Sequence, residues 1–386
     1  MTDHLNPLQS LKEGHWFKLI CGASFQHLPA VRSLTLAYTL AGADCIDGAA
    51  DPAVIAAVRE ALQVAAELAQ DAQARGFGKK GKLPFLMVSL NDGEDPHFRK
   101  AKFNSTECPP NCHRPCEKIC PAQAIKFSNI PELFSGVISE KCYGCGRCIP
   151  VCPFEKIYTN SYVIKPEAIA PLILSTGVDA IEIHTQIGRL TEFQQLWQAI
   201  SPWVEQLQLV AISCPDGEGM IDYLHTLYDA IATHKITLIW QTDGRPMSGD
   251  IGDGATTAAV KLGQKVLAAN LPGYVQLAGG TNSYTVAKLK AMGLLRNGGQ
   301  GGQGGQGRIS PVSPVSFLSP PSPSISGVAY GSYARVLLSP ILEELEAREV
   351  NDTSVKTTVR LEDEPELLWQ AVGLAHSLVS QLKSQQ

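Results

Sequence analysis

Residues 108–120 read CPPNCHRPCEKIC: Cys108, Cys112, Cys116 and Cys120 are each separated from the next by three residues, and Pro121 follows the last. A second run, residues 142–153, reads CYGCGRCIPVCP. It spaces Cys142, Cys145, Cys148 and Cys152 by two, two and three residues and again ends in a proline, Pro153. The second spacing is the ligand run of a bacterial-type ferredoxin. Two-residue gaps let one tight loop present three thiolates to three corners of an iron–sulfur cuboid. Gly144 and Gly146 let backbone N–H groups approach the inorganic sulfides. The fourth cysteine, before proline, is the one that turns toward the other cluster in two-cluster ferredoxins. A structural zinc site is the competing reading of such a run.

The first run departs from that spacing, but its end matches. CPAQAI (120–125) echoes CPFEKI (152–157), an internal pseudo-repeat. The echo implies two [4Fe–4S] clusters. One would be held by Cys142, Cys145, Cys148 and Cys120, the other by Cys108, Cys112, Cys116 and Cys152. Three alternatives stay open for the irregular run: a spectator cysteine, a cluster short of one iron, or His113 as a substitute ligand. A radical cluster using S-adenosylmethionine needs gaps of three then two, which Cys108, Cys112 and Cys116 do not supply. Cys21, Cys45 and Cys214 lie in or just after apolar runs and read as small core fillers, with a pocket role secondary for Cys21 and Cys214.

The elements that must position these residues alternate. Apolar, β-branched runs at 17–23, 44–50, 83–90, 178–185, 209–215, 236–242, 273–280 and 327–333 are each followed by a helix-period segment. Asp51 and Pro52 mark the start of a long helix, and Gly42 the end of another. Eight such units predict an α/β fold, a (β/α)8 barrel-like parallel sheet, against an open doubly wound sheet as the competitor. The cysteine region falls between the third strand and its helix, on the carboxyl face where barrels build their sites. The expected division is 1–96 for the first βα units, 97–162 for a ferredoxin-like two-cluster insertion and 163–296 for further βα units. Residues 297–326 form a Gly/Gln then Pro/Ser low-complexity insert, and 327–386 the last strand and closing helices.

In a barrel, Glu182, His184, Asp216, Asp243 and Arg245 come to one mouth. Loops after the seventh and eighth strands often bind phosphate, so Gly279, Gly280, Gly331 and Ser332, with Arg335 for charge, form a candidate anion site for a flavin or sugar phosphate. Against it, glycines also end strands for conformational reasons alone. Asp243 and Arg245 can simply pair, and His184 on an apolar strand can be a hydrogen-bonded core residue. No Ser–His–Asp, HExxH or P-loop pattern occurs.

The formal net charge of −5, with 18% charged residues, supplies no broad basic field for nucleic acid or an anionic membrane. The start, MTDHLNPLQSLKEGHW, lacks a signal pattern, and no apolar run approaches a membrane span. The expectation is a cytoplasmic protein in a reducing compartment, where clustered cysteines bind metal.

Several stretches carry a family likeness: HWFKLICGAS, AYTLAGADCID followed by AADPAVI, the two cysteine runs with their flanks, QTDGRPMSGDIGDG and AGGTNSYT. Together they resemble the cyanobacterial light-dependent period (LdpA) family over nearly the whole chain apart from the low-complexity insert. The resemblance implies a protein with two iron–sulfur clusters that feeds cellular redox state, and hence light, into the circadian clock through clock-protein partners. On that basis a sensor or electron carrier is expected rather than a catalyst. The alternative is a ferredoxin-domain oxidoreductase, fed by an electron-transfer partner, that passes electrons to a flavin or substrate at the barrel mouth.

Overall fold

Eight parallel strands close into a barrel in the computed structural model. The structure describes residues 7–22, 28–78, 83–93, 99–120, 123–128, 134–139, 141–142, 148–149, 151–161, 166–244, 254–295, 324–351, 354–355 and 359–383. The strands are β1 (Trp16–Gly22), β2 (Cys45–Ala49), β3 (Phe85–Asn91), β4 (Ala180–His184), β5 (Leu209–Pro215), β6 (Thr237–Asp243), β7 (Tyr274–Ala278) and β8 (Ile325–Tyr330). Each pairs with its chain neighbour. β1 then pairs with β8, Trp16 opposite Gly327 and Leu19 opposite Tyr330. That last pairing decides for the barrel over the open sheet, because it leaves no unpaired edge.

Helices α1 (Leu28–Ala41), α2 (Pro52–Glu67), α3 (Pro166–Leu174), α4 (Leu190–Ile200), α5 (Met220–Ile231), α6 (Thr256–Ala268), α7 (Thr285–Ala291) and α8 (Ser332–Glu349) follow the strands in turn. Alternate strand residues face outward against them. Leu19, Ile46, Val88, Ile183, Ile212, Leu277 and Val328 belong to this outer core. The opposite parity faces inward. At the amino end it forms an apolar floor of Trp16, Cys45, Met87, Ala180, Leu209, Ala211 and Ile239, closed by Leu11 of an N-terminal helix, Pro7–Glu13. This plug has no counterpart in the sequence reading, since a seven-residue helix is too short to show a period.

The Asp51 cap is present. Its side chain accepts from the Ala53 N–H at 2.8 Å, with Pro52 in the first turn. The helix it opens is shorter than expected: it breaks at Leu68 and resumes over Ala69–Ala74, with neither Gly nor Pro to announce the break. α8, beginning at Ser332, runs on through Pro340. The Val336 carbonyl, four residues before Pro340, has no N–H to meet there. The Ser339 hydroxyl donates to it instead at 2.9 Å. Among the described residues no helix is long and apolar enough to cross a membrane. Of the low-complexity insert expected at 297–326, residues 297–323 lie outside the described residues, whereas Ile325 and Ser326 belong to β8.

The cysteine segment leaves the barrel after β3 and returns before α3 through an antiparallel ribbon. Arg99–Lys102 pairs with Tyr158–Ser161, Arg99 opposite Ser161 and Lys102 opposite Tyr158. A smaller ribbon inside it pairs Ile125 with Val137 and Lys126 with Gly136.

Barrel closure is tight where β8 meets β1. A Cβ on Gly327 would lie 2.4 Å from the Trp16 carbonyl oxygen and 2.6 Å from its Cβ. Gly327→Ala is expected to lower the unfolding free energy by about 1–3 kcal/mol through this overpacking, as measured by urea denaturation against wild type.

Candidate functional site

The pseudo-repeat in the sequence is a repeat in space. After Cys120 and after Cys152 the chain makes the same turn. The third residue on, Gln123 or Glu155, is left-handed, with φ of 48° and 51°. Its N–H reaches the cysteine carbonyl at 3.0 Å in the first turn and 3.2 Å in the second. The next N–H, of Ala124 or Lys156, donates to the cysteine Sγ at 3.2 Å and 3.4 Å respectively. The following Ile125 or Ile157 is buried. A left-handed non-glycine residue costs about 1–3 kcal/mol, so its recurrence at matched positions marks a geometry that the site holds on purpose.

Two more sulfurs accept backbone hydrogen bonds. The Ala101 N–H donates to Cys142 at 3.3 Å, and the Arg114 N–H to Cys112 at 3.4 Å. Arg114 is itself left-handed, φ 54°, just before the short helix Pro115–Ile119 that carries Cys116. Cys116, Cys142 and Cys148 are buried in a small core with Ala101, Ala124, Ile125 and Ile157, flanked by Phe103, Phe127, Cys120 and Cys152. Among the described residues Cys112 and Cys152 act on both Cys108 and Cys116. Burial first pushes the Cys116 thiol up to about 11, against a backbone N–H from Glu117, and the charges of Cys152, Cys108 and Cys112 add to it. Burial and Cys112 likewise raise Cys108, with Cys152 contributing. His113 is exposed. Cys145, Gly144, Gly146 and Pro121 lie outside the described residues.

All described cysteines are free thiols. Thiols that raise one another are relieved by a cation that binds them as thiolates, and inward N–H groups then stabilise the charge on sulfur. The donor set therefore fits an iron–sulfur group. A disulfide framework would instead consume the thiols in pairs.

Below the mouth, the barrel interior is polar and closed. The ammonium of Lys18, fully buried, meets Asp47 Oδ2 at 2.8 Å, Glu182 Oε2 and Gln241 Oε1 at 3.1 Å. Gln241 donates to Glu182 Oε1; Gln276 donates to Gln241 Oε1 at 2.6 Å; Trp16 Nε1 donates to Gln276 Oε1 at 2.6 Å. Ser89 donates to Asp47 Oδ1 at 2.8 Å. Burial pushes the Asp47 carboxyl up to about 6 and Lys18 opposes it. Asp47 and Glu182 in turn raise Lys18 against its own desolvation. His184 Nε2 stands 3.2 Å from Glu182 Oε1 with its side chain one-third exposed, so it is a mouth residue more than a core one. Ser213 donates to Asp243 beside it. Asp216 is not in the mouth: it pairs with Lys265 at 2.6 Å on the outer rim, where both are exposed. Arg245 lies outside the described residues.

Lys18, Asp47, Gln241 and Gln276 were missed by sequence reasoning, although each interrupts an apolar strand at inward parity. At the candidate anion site, Gly279 and Gly280 are left-handed, φ 58° and 94°. Arg335 does not project freely: its guanidinium donates to the Ile20 carbonyl at 3.1 Å and to Ser332 Oγ at 3.1 Å. A Cβ on Gly331, the residue after β8, would lie 3.6 Å from Arg335 Nη1 and 3.7 Å from Ile20 Cβ.

This combination defines a (β/α)8-barrel protein with a cysteine-rich, metal-binding insertion at its carboxyl face. Residues 108–163 match the family described as LdpA Fe-S cluster-binding domain, and residues 172–381 match the Light dependent period A C-terminal domain. The chain belongs to the Light dependent period A family and is an iron–sulfur protein. It is 47% identical over 377 residues to Light dependent period A of Synechococcus elongatus, covering 98% of this chain and 94% of the relative. A solved tryptophan synthase from M. tuberculosis aligns with 95% of this chain and 94% of its own at 12% identity and a TM-score of 0.36.

Removing Lys18 alone strands two buried carboxylates. Lys18→Met is expected to cost about 3–5 kcal/mol, and the triple variant Lys18→Met, Asp47→Asn, Glu182→Gln distinctly less, because no unpaired charge remains. Chemical denaturation of the two variants beside wild type measures the difference.

Proposed function

We propose that this chain is a redox sensor that relays the light-dependent redox state of the cell to the circadian clock. The observation that carries the reading is the pair of matched Cys-Pro turns, each aiming an N–H at its own cysteine sulfur. An iron–sulfur cluster, when bound, supplies reversible one-electron redox chemistry. The family name supports the link to light and period, and the thiol geometry supports the redox input.

We assign two [4Fe–4S] clusters. Cys108, Cys112, Cys116 and Cys152 would hold one, consistent with the influence of Cys112 and Cys152 on Cys108 and Cys116. Cys142, Cys145, Cys148 and Cys120 would hold the other. The backbone donors to Cys112, Cys120, Cys142 and Cys152 stabilise negative charge on sulfur and so favour the reduced state. The relay surface is the insertion itself, in the cytoplasm, facing clock-protein partners. Phe134, Phe154 and Tyr158 are exposed there at 58%, 41% and 54%. The helix carrying Cys116 also lies against the strand Ser354–Val355, a route from the thiols to the C-terminal part of the chain.

Anaerobic protein is expected to contain about 8 iron and 8 sulfide per chain, with two reducible EPR signals. Cys152→Ser and Cys120→Ser should each disturb a different one. Zinc without sulfide would refute the redox reading, and stoichiometric flavin with reductase activity would favour an enzyme instead. In a cyanobacterium lacking its own family member, the wild-type gene is expected to restore the dependence of circadian period on light intensity. Cys148→Ser should restore growth-normal expression without that dependence; equal rescue by both would separate the clusters from the clock.

A further inference from the structure

We propose that Glu182, His184 and Asp243 form a divalent-cation site in the barrel mouth, separate from the cysteine insertion. One ligand atom from each lies within 4.8 Å of the others. The Glu182 Oε1 to His184 Nε2 separation, 3.2 Å, is the edge of a coordination polyhedron whose bonds are about 2.0–2.2 Å long. One imidazole nitrogen with two carboxylate oxygens suits zinc, manganese or ferrous iron. Three protein ligands leave further positions open toward the mouth.

The ligands are oriented by groups that do not compete for the ion. Lys18 takes Glu182 through Oε2, leaving Oε1 to face His184 with one donor, Gln241, behind it. Ser213 steadies Asp243 from β5. His184 and Asp243 sit at the carboxyl ends of β4 and β6, so the strands fix both positions.

Charge gives an independent reason. Around the barrel axis, one ammonium, Lys18, faces the buried carboxylates of Asp47 and Glu182, and Asp243 adds a third. Among the described residues no lysine or arginine pairs with Asp243. Among the described residues, which do not include Arg245, the carboxylates therefore outnumber the ammonium, and Glu182 is buried, where unbalanced charge is costly. A divalent cation balances it. A protonated His184 is the competing counter-ion, and it predicts no metal binding.

Mn2+ is the probe, because it prefers oxygen and imidazole ligands over the thiolates of the insertion. Full-length protein, purified anaerobically with its iron, is titrated with Mn2+, and the free ion is counted by its six-line EPR signal. One saturable site per chain is expected, displaced by Zn2+, and weakened at least about tenfold in both His184→Ala and Asp243→Asn. Iron content and circular dichroism confirm that each variant is folded; if one is not, the other decides alone. Absence of a saturable site up to millimolar Mn2+, or wild-type affinity in the folded variants, overturns the proposal.

Discussion

A lysine ammonium sealed inside a barrel must find its counter-charges within the fold, and Lys18 finds two. Its contacts with Asp47 and Glu182 tie β1 to β2 and to β4, on the far side of β3. Gln241 and Gln276 extend the tie through β6 and β7 back to Trp16 on β1. Nearly the whole circumference is therefore joined by polar side chains pointing at the axis. Such a network does not by itself raise stability, since desolvating the ions offsets their attraction. Its effect is on uniqueness: a one-residue slip in any of these strands would turn its polar group into the apolar outer shell.

The polar interior also divides the barrel lengthwise. The floor beneath Lys18 is apolar and plugged by the N-terminal helix, while half-exposed polar residues lie at the carboxyl end. That end carries His184 and Asp243, and the cysteine insertion springs from the same rim after β3. Chemistry is possible at one face, and both candidate sites are there for the same topological reason: parallel strands place all their carboxyl ends together.

The insertion solves a different problem with little core of its own. Its buried apolar side chains are few, and several of its buried groups are thiols. The antiparallel ribbon at its base fixes where the chain leaves and returns, while the Cys-Pro turns fix where the sulfurs point. Small metal-bearing modules couple ligand binding to folding in this way, and the group the sulfurs bind would add a further constraint here.

Much of this was legible from residue order. The eight apolar runs announced eight strands because each is buried on both faces. The spacing of the cysteines announced iron–sulfur ligation because the cluster sets it, and the Asp51–Pro52 cap is a purely local signal. The break at Leu68 and the passage of α8 through Pro340 were not legible, because packing overrides local preference at the first and the Ser339 hydroxyl compensates at the second. Nor was the outcome at Asp216 and Arg335, since a charged residue after a strand points to the mouth or to the rim according to neighbours far away in sequence. The sequence alone thus determined that the cysteine segment binds an iron–sulfur group and how often strand alternates with helix, both of which are short-range patterns. Only the tertiary structure decided that the sheet closes, that Lys18, 164 residues from Glu182, lies against it, and that Glu182, His184 and Asp243 converge. Convergence of that kind depends on strand register and inward parity around the full barrel, which no local stretch of chain contains.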